Sequence, residues 1–242
     1  MLKIQDFNKL IVANWKLNGS FSFTKEYMDQ IRFKTIKNQK NCLIICPPVP
    51  YISEFKSSNL LTGGQDCSRY INGAYTGEIS TKMLKDMGCQ ICIVGHSERR
   101  EFFNDSNEII HEKLNNCIED KIIPIFCIGE NLNQRKEGRA KQVIKDQLMA
   151  SLPKDYSDEN IILAYEPLWA IGSGLIPKID EISEIHSYIK EEVLNNQNIK
   201  ILYGGSVKAE NYKKIIDLKE VDGLLIGGAS IQIAEFKKIL EF

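Results

Sequence analysis

The sequence predicts a single (β/α)8 barrel, with eight parallel strands inside a ring of helices, over residues 1–242. Eight short apolar, β-branched runs recur along the chain, and polar segments with helical spacing separate them. The runs are continuous rather than alternating, as is typical of parallel strands buried on both faces. Their number in a chain of this length matches the barrel's usual size of about 250 residues. An open doubly wound sheet is the alternative, because periodicity does not report closure.

The eight predicted strands are rich in isoleucine, leucine, valine and cysteine. No proline-, glycine- or serine-rich linker divides the series, which indicates one domain. The strands cover residues 10–13, 42–46, 60–64, 91–94, 122–128, 161–165, 199–203 and 223–226.

Helices are predicted between the strands, where apolar residues recur on one helical face. We expect helix starts near Ser22 and Asp180 and a glycine stop at Gly88. One apolar stripe lies within residues 183–193. The other consists of Ile109, Ile110, Leu114, Cys117 and Ile118.

Composition excludes several classes of partner. The chain has 31 basic and 32 acidic side chains, so no overall positive field attracts nucleic acid or anionic lipid. No apolar run approaches the roughly 20 residues that a membrane helix needs. Lys3, Asp6 and Lys9 rule out a secretory apolar segment at the N-terminus. We therefore expect a cytoplasmic protein that binds neither nucleic acid nor membrane.

The seven cysteines are odd in number and scattered, which favours a reducing compartment over a disulfide framework. Cys89 and Cys92 form one C-x-x-C pair, but a zinc site needs a second ligand pair, and the sequence places none. Cysteine also packs as a small apolar residue in buried strands. We therefore expect no metal site and no cofactor.

Polar and glycine residues follow nearly every predicted strand. In a barrel the carboxyl ends of the strands converge on one face, where active sites are built. The clusters are residues 14–16, 65–66, 95–99, 127–130, 166–167, 204–206 and 227–230.

Glu166 is the candidate base, because it follows a predicted buried strand directly. Most glutamates are exposed loop residues, which is the plain alternative. Residues 167–174, however, are apolar and punctuated by glycine, which indicates a lid that excludes water. A carboxylate under such a lid is suited to general-base catalysis.

His96 and Lys16 are the other candidates at strand ends. A lone histidine is more often packed than catalytic. Here Ser97 is a candidate cap for the next helix, whose N–H groups would favour a neutral imidazole able to polarise a carbonyl. Lysine is ordinarily a surface cation, but at a strand end Lys16 is placed to neutralise a dianion.

Three glycine clusters follow the sixth, seventh and eighth predicted strands, at residues 172–174, 204–206 and 227–230. Each alone is a weak signal, since glycine also serves turns. At these three positions they resemble the phosphate site of barrel enzymes, where backbone N–H groups hold the anion.

Two motifs are highly specific: Gly-His-Ser-Glu-Arg-Arg at residues 95–100 and Tyr-Glu-Pro-Leu-Trp-Ala-Ile-Gly at residues 165–172. With them, residues 10–242 resemble the triosephosphate isomerase family. The resemblance implies a cofactor-free proton transfer that interconverts dihydroxyacetone phosphate and glyceraldehyde 3-phosphate through an enediolate. The other runs that carry it are residues 12–16, 73–80, 127–130, 203–207 and 222–230.

The resemblance also implies roles for individual residues. Glu166 would be the base, His96 the neutral electrophile and Lys16 the cation facing substrate charge. Asn14, Glu98 and Cys127 would support the site. The residues that would bind substrate are Asn14, Lys16, Gly172, Ser206, Gly227 and Gly228.

A homodimer is also implied, formed through the loop that begins at Gly73 and ends at Glu78. In the family this loop enters the partner, and Thr76 would lie near the partner's active site. The loop is mostly uncharged with Tyr75 at its tip, which is an unusual surface to leave in water. A self-packed surface loop is the alternative.

Two departures from the family pattern affect expectations about rate. Asp66 stands where asparagine is usual and would add a negative charge near Lys16. The end of the lid is Leu175-Ile176-Pro177, where Lys-Thr-Ala is commoner. Both changes are expected to tune rate and lid motion rather than the reaction.

Two other functions remain open at this point. Another phosphate-binding barrel enzyme, such as an aldolase or a tryptophan-pathway isomerase, would need a Schiff-base lysine or a different acid–base pair. A non-catalytic relative should have lost Glu166, His96 or Lys16, and the sequence retains all three.

Overall fold

The strands form a closed parallel barrel in chain order, from β1 to β8 and back to β1. The computed structural model describes residues 3–31, 40–56, 58, 60–171, 175 and 177–241. Each predicted strand agrees with an observed one to within one residue at each end, so the predicted (β/α)8 barrel is confirmed. The strands are β1 Lys9–Asn14, β2 Asn41–Cys46, β3 Leu61–Gly64, β4 Ile91–Val94, β5 Ile123–Ile128, β6 Ile162–Tyr165, β7 Lys200–Tyr203 and β8 Gly223–Ile226.

Helices follow the strands on the outside of the barrel. Short 3-10 helices lie at Ile4–Asp6, Ser53–Phe55 and Leu168–Ala170, and a π-helical segment lies at Tyr188–Val193. The α-helices are α1 Phe21–Ile31, α2 Val49–Ile52, α3 Thr81–Asp86, α4 Ser97–Phe102, α5 Asn107–Glu119, α6 Leu132–Lys136, α7 Ala140–Ser151, α8 Ile179–Ser187, α9 Tyr212–Ile216, α10 Gly228–Ile231 and α11 Ile233–Ile239.

Two apolar layers explain why the strand runs are continuous. In β1, Leu10 and Val12 belong to the cluster inside the barrel, whereas Ile11 and Ala13 belong to the layer under the helices. Successive side chains of a strand point to opposite faces, so both faces of each strand must be apolar.

The predicted helical features are observed with small differences. In α5, Ile110, Leu114 and Cys117 are fully buried against the barrel. The start near Ser22 is one residue late, since α1 begins at Phe21. Gly88 follows α3 with a φ of +97°, a conformation that L side chains rarely adopt, as expected of a glycine stop.

Candidate active site

A cavity of about 400 Å³ opens at the carboxyl ends of the strands. Loops after β1, β4, β6, β7 and β8 all contribute to its wall. Gly172 lies outside the described residues, as do Ser173 and Gly174 of the predicted lid and Ile176 of its predicted hinge. Glu98 and Cys127 are not among the residues that line the cavity. The predicted site residues that line it are Asn14, Lys16, His96, Glu166, Ser206, Gly227 and Gly228.

The end of β4 sets the protonation pattern of the imidazole. His96 is itself the cap of α4, because its Nδ1 accepts a hydrogen bond from the backbone N–H of Glu98 at 3.2 Å. The expected cap, Ser97, is instead the first helical residue. Serine is the commoner cap, but here the imidazole of His96 accepts the hydrogen bond from the free backbone N–H of the first helical turn. Since Nδ1 accepts, the proton of a neutral ring lies on Nε2.

Glu166 follows β6 and is only 2% exposed, so it is not an ordinary loop glutamate. Its Oε2 accepts a hydrogen bond from the backbone N–H of Ser97 at 2.9 Å. Its Oε1 lies 3.1 Å from His96 Nε2, yet no aligned hydrogen bond satisfies it. Burying an incompletely paired carboxylate oxygen is costly, and its free lone pair is available to take a proton.

Two glycines make room for this carboxylate. A Cβ at Gly204 would lie 2.8 Å from Glu166 Cγ, and one at Gly129 would lie 1.7 Å from the Glu166 carbonyl oxygen. Any larger residue at either position would therefore displace Glu166. The predicted role of Gly204 was part of a phosphate loop; its close approach to Glu166 is a second role that the sequence does not indicate.

Lys16 is presented by a strained turn after β1. Its φ is +52°, and its backbone N–H donates to Asn14 Oδ1 at 3.1 Å. Gln65 Nε2 donates to the Lys16 carbonyl at 2.9 Å, which fixes the same turn. The ammonium Nζ lies 2.6 Å from Glu98 Oε1, with both side chains partly exposed. The cation is therefore held at the mouth of the cavity by an exchangeable partner.

Asp66, which was expected to add a negative charge near Lys16, has two cationic partners of its own. Its carboxylate pairs with Lys113 Nζ at 2.9 Å and with Arg99 Nε at 2.8 Å. Lys113 also pairs with Asp105 at 2.7 Å. Burial raises the pKa of Asp66 to about 7, while Lys113 and Arg99 act in the opposite direction. Asp66 is therefore paired with Lys113 and Arg99 in the described part of the chain.

The glycine-rich side of the cavity joins three loops. Ser206 Oγ donates to the carbonyl oxygen of Ala170, which links the loop after β7 to the 3-10 helix after β6. A Cβ at Gly227 would lie 3.0 Å from Lys16 Cε, whereas a Cβ at Gly228 would meet nothing within 4 Å. An anion in this part of the cavity would therefore lie among backbone groups and next to Lys16.

Glu130 has a structural role that the sequence does not assign to it. It is fully buried, and its Oε1 accepts hydrogen bonds from Trp169 Nε1 at 2.9 Å and from the Tyr165 hydroxyl at 3.2 Å. Burial raises the pKa of Glu130. The available signal is a glutamate that follows β5, together with two side-chain donors, Tyr165 at the end of β6 and Trp169 in the 3-10 helix after it. Glu130 thereby fastens the first turn of the predicted lid.

Cys127 lies in β5, fully buried inside the barrel. Burial and the negative charge of Glu166 raise the pKa of its thiol well above the ordinary value. Cys127 therefore stays neutral and contributes packing beneath the carboxylate rather than a nucleophile.

The fold and the cavity together indicate the class of protein to which the chain belongs. A parallel barrel that brings a buried carboxylate, a histidine and a lysine to one cavity at its strand ends is an enzyme of acid–base chemistry. No helix within the described ranges is long and apolar enough to span a membrane.

Comparisons with known proteins make the class specific. The family model described as triosephosphate isomerase matches residues 9–242. Triosephosphate isomerase of Francisella tularensis subsp. novicida is 42% identical over 242 residues, 96% of each chain, and that of Nitrosomonas europaea is 40% identical over 240 residues, 95% of each. A crystal structure of triosephosphate isomerase from Bartonella henselae superposes with a TM-score of 0.87 at 34% identity, covering 96% of this chain and 98% of that one. The chain belongs to the triosephosphate isomerase family.

Proposed function

We propose that the chain interconverts dihydroxyacetone phosphate and D-glyceraldehyde 3-phosphate, a step of glycolysis and gluconeogenesis. The observation that carries the proposal is the buried Glu166 carboxylate, whose unpaired Oε1 lies 3.1 Å from His96 Nε2. Family membership supports the same reaction.

The reaction is a proton transfer between neighbouring carbons. Glu166 Oε1 takes a proton from C1 of dihydroxyacetone phosphate, and the electron pair moves to the carbonyl oxygen to form an enediolate. His96 donates from Nε2–H to that oxygen, since its Nδ1 is occupied by the Glu98 N–H. His96 gives its Nε2 proton to that oxygen and takes up the proton of the C1 hydroxyl, so the ring is neutral again and the negative charge lies on the C1 oxygen. Glu166 then returns its proton to C2 while the C1 oxygen forms a carbonyl, which gives the aldehyde.

Lys16 and the glycine-rich loops hold the charged substrate. The ammonium of Lys16 exchanges Glu98 for substrate oxygens, where a cation stabilises the developing negative charge. Asn14 bonds substrate beside it. The residues that bind the phosphate are Gly172, Ser206, Gly227 and Gly228.

The rival functions have less support. A non-catalytic phosphate-binding relative would not need an unpaired carboxylate oxygen beside an imidazole. Burying that oxygen destabilises the folded protein, and phosphate binding alone does not require it. An aldolase or a tryptophan-pathway isomerase would need a Schiff-base lysine or a different acid–base pair, whereas here Glu166 Oε1 lies 3.1 Å from His96 Nε2.

Glu166→Asp tests the base. The substitution keeps the charge but withdraws the carboxylate by one methylene, about 1 Å, and a misplacement of that size costs on the order of 10²-fold in turnover. Conversion of glyceraldehyde 3-phosphate is measured directly, and kcat should fall more than KM rises. Glu54→Asp is the matched control, because Glu54 is an exposed glutamate that does not line the cavity. A fall of less than about threefold would exclude Glu166 as the base.

We also propose a cytoplasmic homodimer. Residues 71–78 are all exposed, and Tyr75 stacks on Tyr70 with ring centroids 3.6 Å apart, while Phe102 is 66% and Phe103 62% exposed. So much apolar and aromatic surface favours burial against a second copy. The loop from Gly73 to Glu78 would then bring Thr76 to the partner's site. Seven unpaired, buried cysteines support a reducing compartment.

Light scattering of the active protein tests the dimer. The expected mass is twice that of the chain at concentrations where activity is constant. Thr76→Arg should shift the protein to monomer mass, because a buried unpaired charge opposes association. An active species with the mass of one chain would contradict the dimer.

A further inference from the structure

Three cysteines converge at a position separate from the cavity. Cys67 follows β3, Cys92 lies in β4 and Cys117 lies in α5, and their sulfur atoms all lie within 4.8 Å of one another. The sulfurs of Cys67 and Cys117 are 3.7 Å apart. Cys92 is thus grouped with two distant cysteines and not with Cys89, its partner in the C-x-x-C pair, which corrects the expectation that no further ligand is placed for it.

We propose that Cys67, Cys92 and Cys117, here called the sulfur group, form a binding site for one soft, thiophilic metal ion. Metal–sulfur bonds of about 2.3 Å place three sulfurs in a trigonal arrangement about 4.0 Å apart. The observed separations, 3.7 Å for one pair and no more than 4.8 Å for any pair, bracket that value. The three thiols can therefore surround an ion after small side-chain adjustments.

The ligand set selects the class of ion. The group contains sulfur only, and soft thiolate ligands favour soft ions such as Cu(I) over hard ions. All three residues belong to the apolar layer between barrel and helices, together with Val94 and Leu114, so the ion would be shielded from water. A three-coordinate d10 ion suits this environment better than zinc, which prefers four ligands in closed sites.

The alternative is that three buried thiols pack as small apolar side chains. The remaining cysteines illustrate that situation. Cys42, Cys46 and Cys127 belong to the cluster inside the barrel, and no such grouping of sulfurs is found among them or with Cys89 in the described part of the chain. The chain thus offers a matched set of buried cysteines that are not expected to bind an ion.

A partly exposed charged network lies beside the sulfur group. Asp66 precedes Cys67, and the Lys113 carbonyl lies 3.9 Å from Cys67 Sγ. Asp66 and Arg99, which pair at 2.8 Å, have side chains that are 21% and 29% exposed. On binding, each of the three thiols releases its proton to solvent and forms one sulfur–metal bond.

Cd(II) is a suitable probe, because cadmium–thiolate bonds give a charge-transfer absorption that nitrogen or oxygen ligands do not. The whole chain, reduced and refolded with one equivalent of Cd(II), is passed over a weak chelator. We expect about one retained ion per chain, the thiolate absorption band, and a higher unfolding temperature, since a ligand that binds only the folded state stabilises it.

Cys92→Ala and Cys117→Ala should each lower the retained cadmium at least tenfold, while Cys89→Ala should retain it in full. Near-ultraviolet circular dichroism checks that each variant is folded. If Cys92→Ala or Cys117→Ala does not fold, Cys67→Ala replaces it in the comparison. Retention below one tenth of an ion in the unmodified chain would overturn the proposal. The proposal would also be overturned if Cys92→Ala retained as much cadmium as the unmodified chain, or if Cys89→Ala lost its cadmium.

Discussion

His186 in α8 makes the stability of the protein depend on pH. It is fully buried, its Nδ1 lies 3.1 Å from the carbonyl oxygen of Glu220, and its Nε2 has no hydrogen-bond partner among the described residues. The neutral ring therefore carries its proton on Nδ1, and a second proton would create a buried charge without an acceptor. Burial lowers the pKa of His186 to about 3, and the charges of Lys190 and Lys9 act in the same direction.

The sign and size of the effect follow from the two pKa values. In the unfolded chain the imidazole takes up a proton as pH falls through about 6.5, but in the folded chain it does so only near pH 3. The unfolded state therefore binds more protons in that window, and the free energy of unfolding falls as pH falls. At about 1.4 kcal/mol per pH unit, His186 alone costs about 3 kcal/mol between pH 7 and pH 4. Domains have only about 5–15 kcal/mol in total.

Urea unfolding at pH 7 and pH 4, at one protein concentration, measures this loss for the unmodified chain and for His186→Asn. Asparagine keeps an N–H donor for the Glu220 carbonyl but does not titrate. The variant should lose about 3 kcal/mol less over the interval. His111→Asn is the matched control, since His111 also faces a backbone carbonyl, that of Ser151 at 3.1 Å, but is only half buried. Parallel losses in the unmodified chain and His186→Asn would refute the reasoning.

Three further substitutions test the active site. Gly204→Ala should lower kcat by on the order of 10²-fold with little change in KM, because the alanine Cβ would lie 2.8 Å from Glu166 Cγ. Steady-state kinetics that match those of the unmodified enzyme would show that the carboxylate is not displaced. Lys16→Met should raise the dissociation constant of substrate and depress turnover, and near-normal values would remove Lys16 from the site. Pro177→Ala should weaken binding of an enediolate-like inhibitor about two- to fivefold, since proline limits the open conformations of the lid; tighter binding would show that Pro177 obstructs closure.

The strands could be predicted closely because a parallel barrel imposes a strong local pattern. Both faces of each strand are buried, so a run such as residues 91–94 is apolar throughout and ends at a polar cluster. Closure of the barrel is different, since the same pattern fits an open sheet. Only the number of strands and the motifs at residues 95–100 and 165–172 favoured the closed form.

Contacts between distant residues account for what the sequence did not predict. Asp66 is paired with Lys113, which is 47 residues away, so its neighbours in the sequence gave no indication of that partner. The sulfur group is a similar case: its members occur at intervals of 25 residues, which become a contact only when successive strand–helix units stack side by side. The position of a glycine against a side chain, as with Gly204 and Glu166, also depends on the assembled barrel.

In the proposed site the Glu166 carboxylate is fixed and the Lys16 cation can exchange its partner, and the difference follows from their burial. Glu166 is held by a backbone N–H and by two glycines that leave it no room, so its carboxylate is in place before substrate arrives. The pair between Lys16 and Glu98 is different, because its side chains are 27% and 40% exposed. A partly exposed ion pair contributes at most about 1 kcal/mol, so a substrate dianion can displace Glu98 at little cost. Binding energy is then retained for interactions that form only as charge develops on the enediolate oxygens.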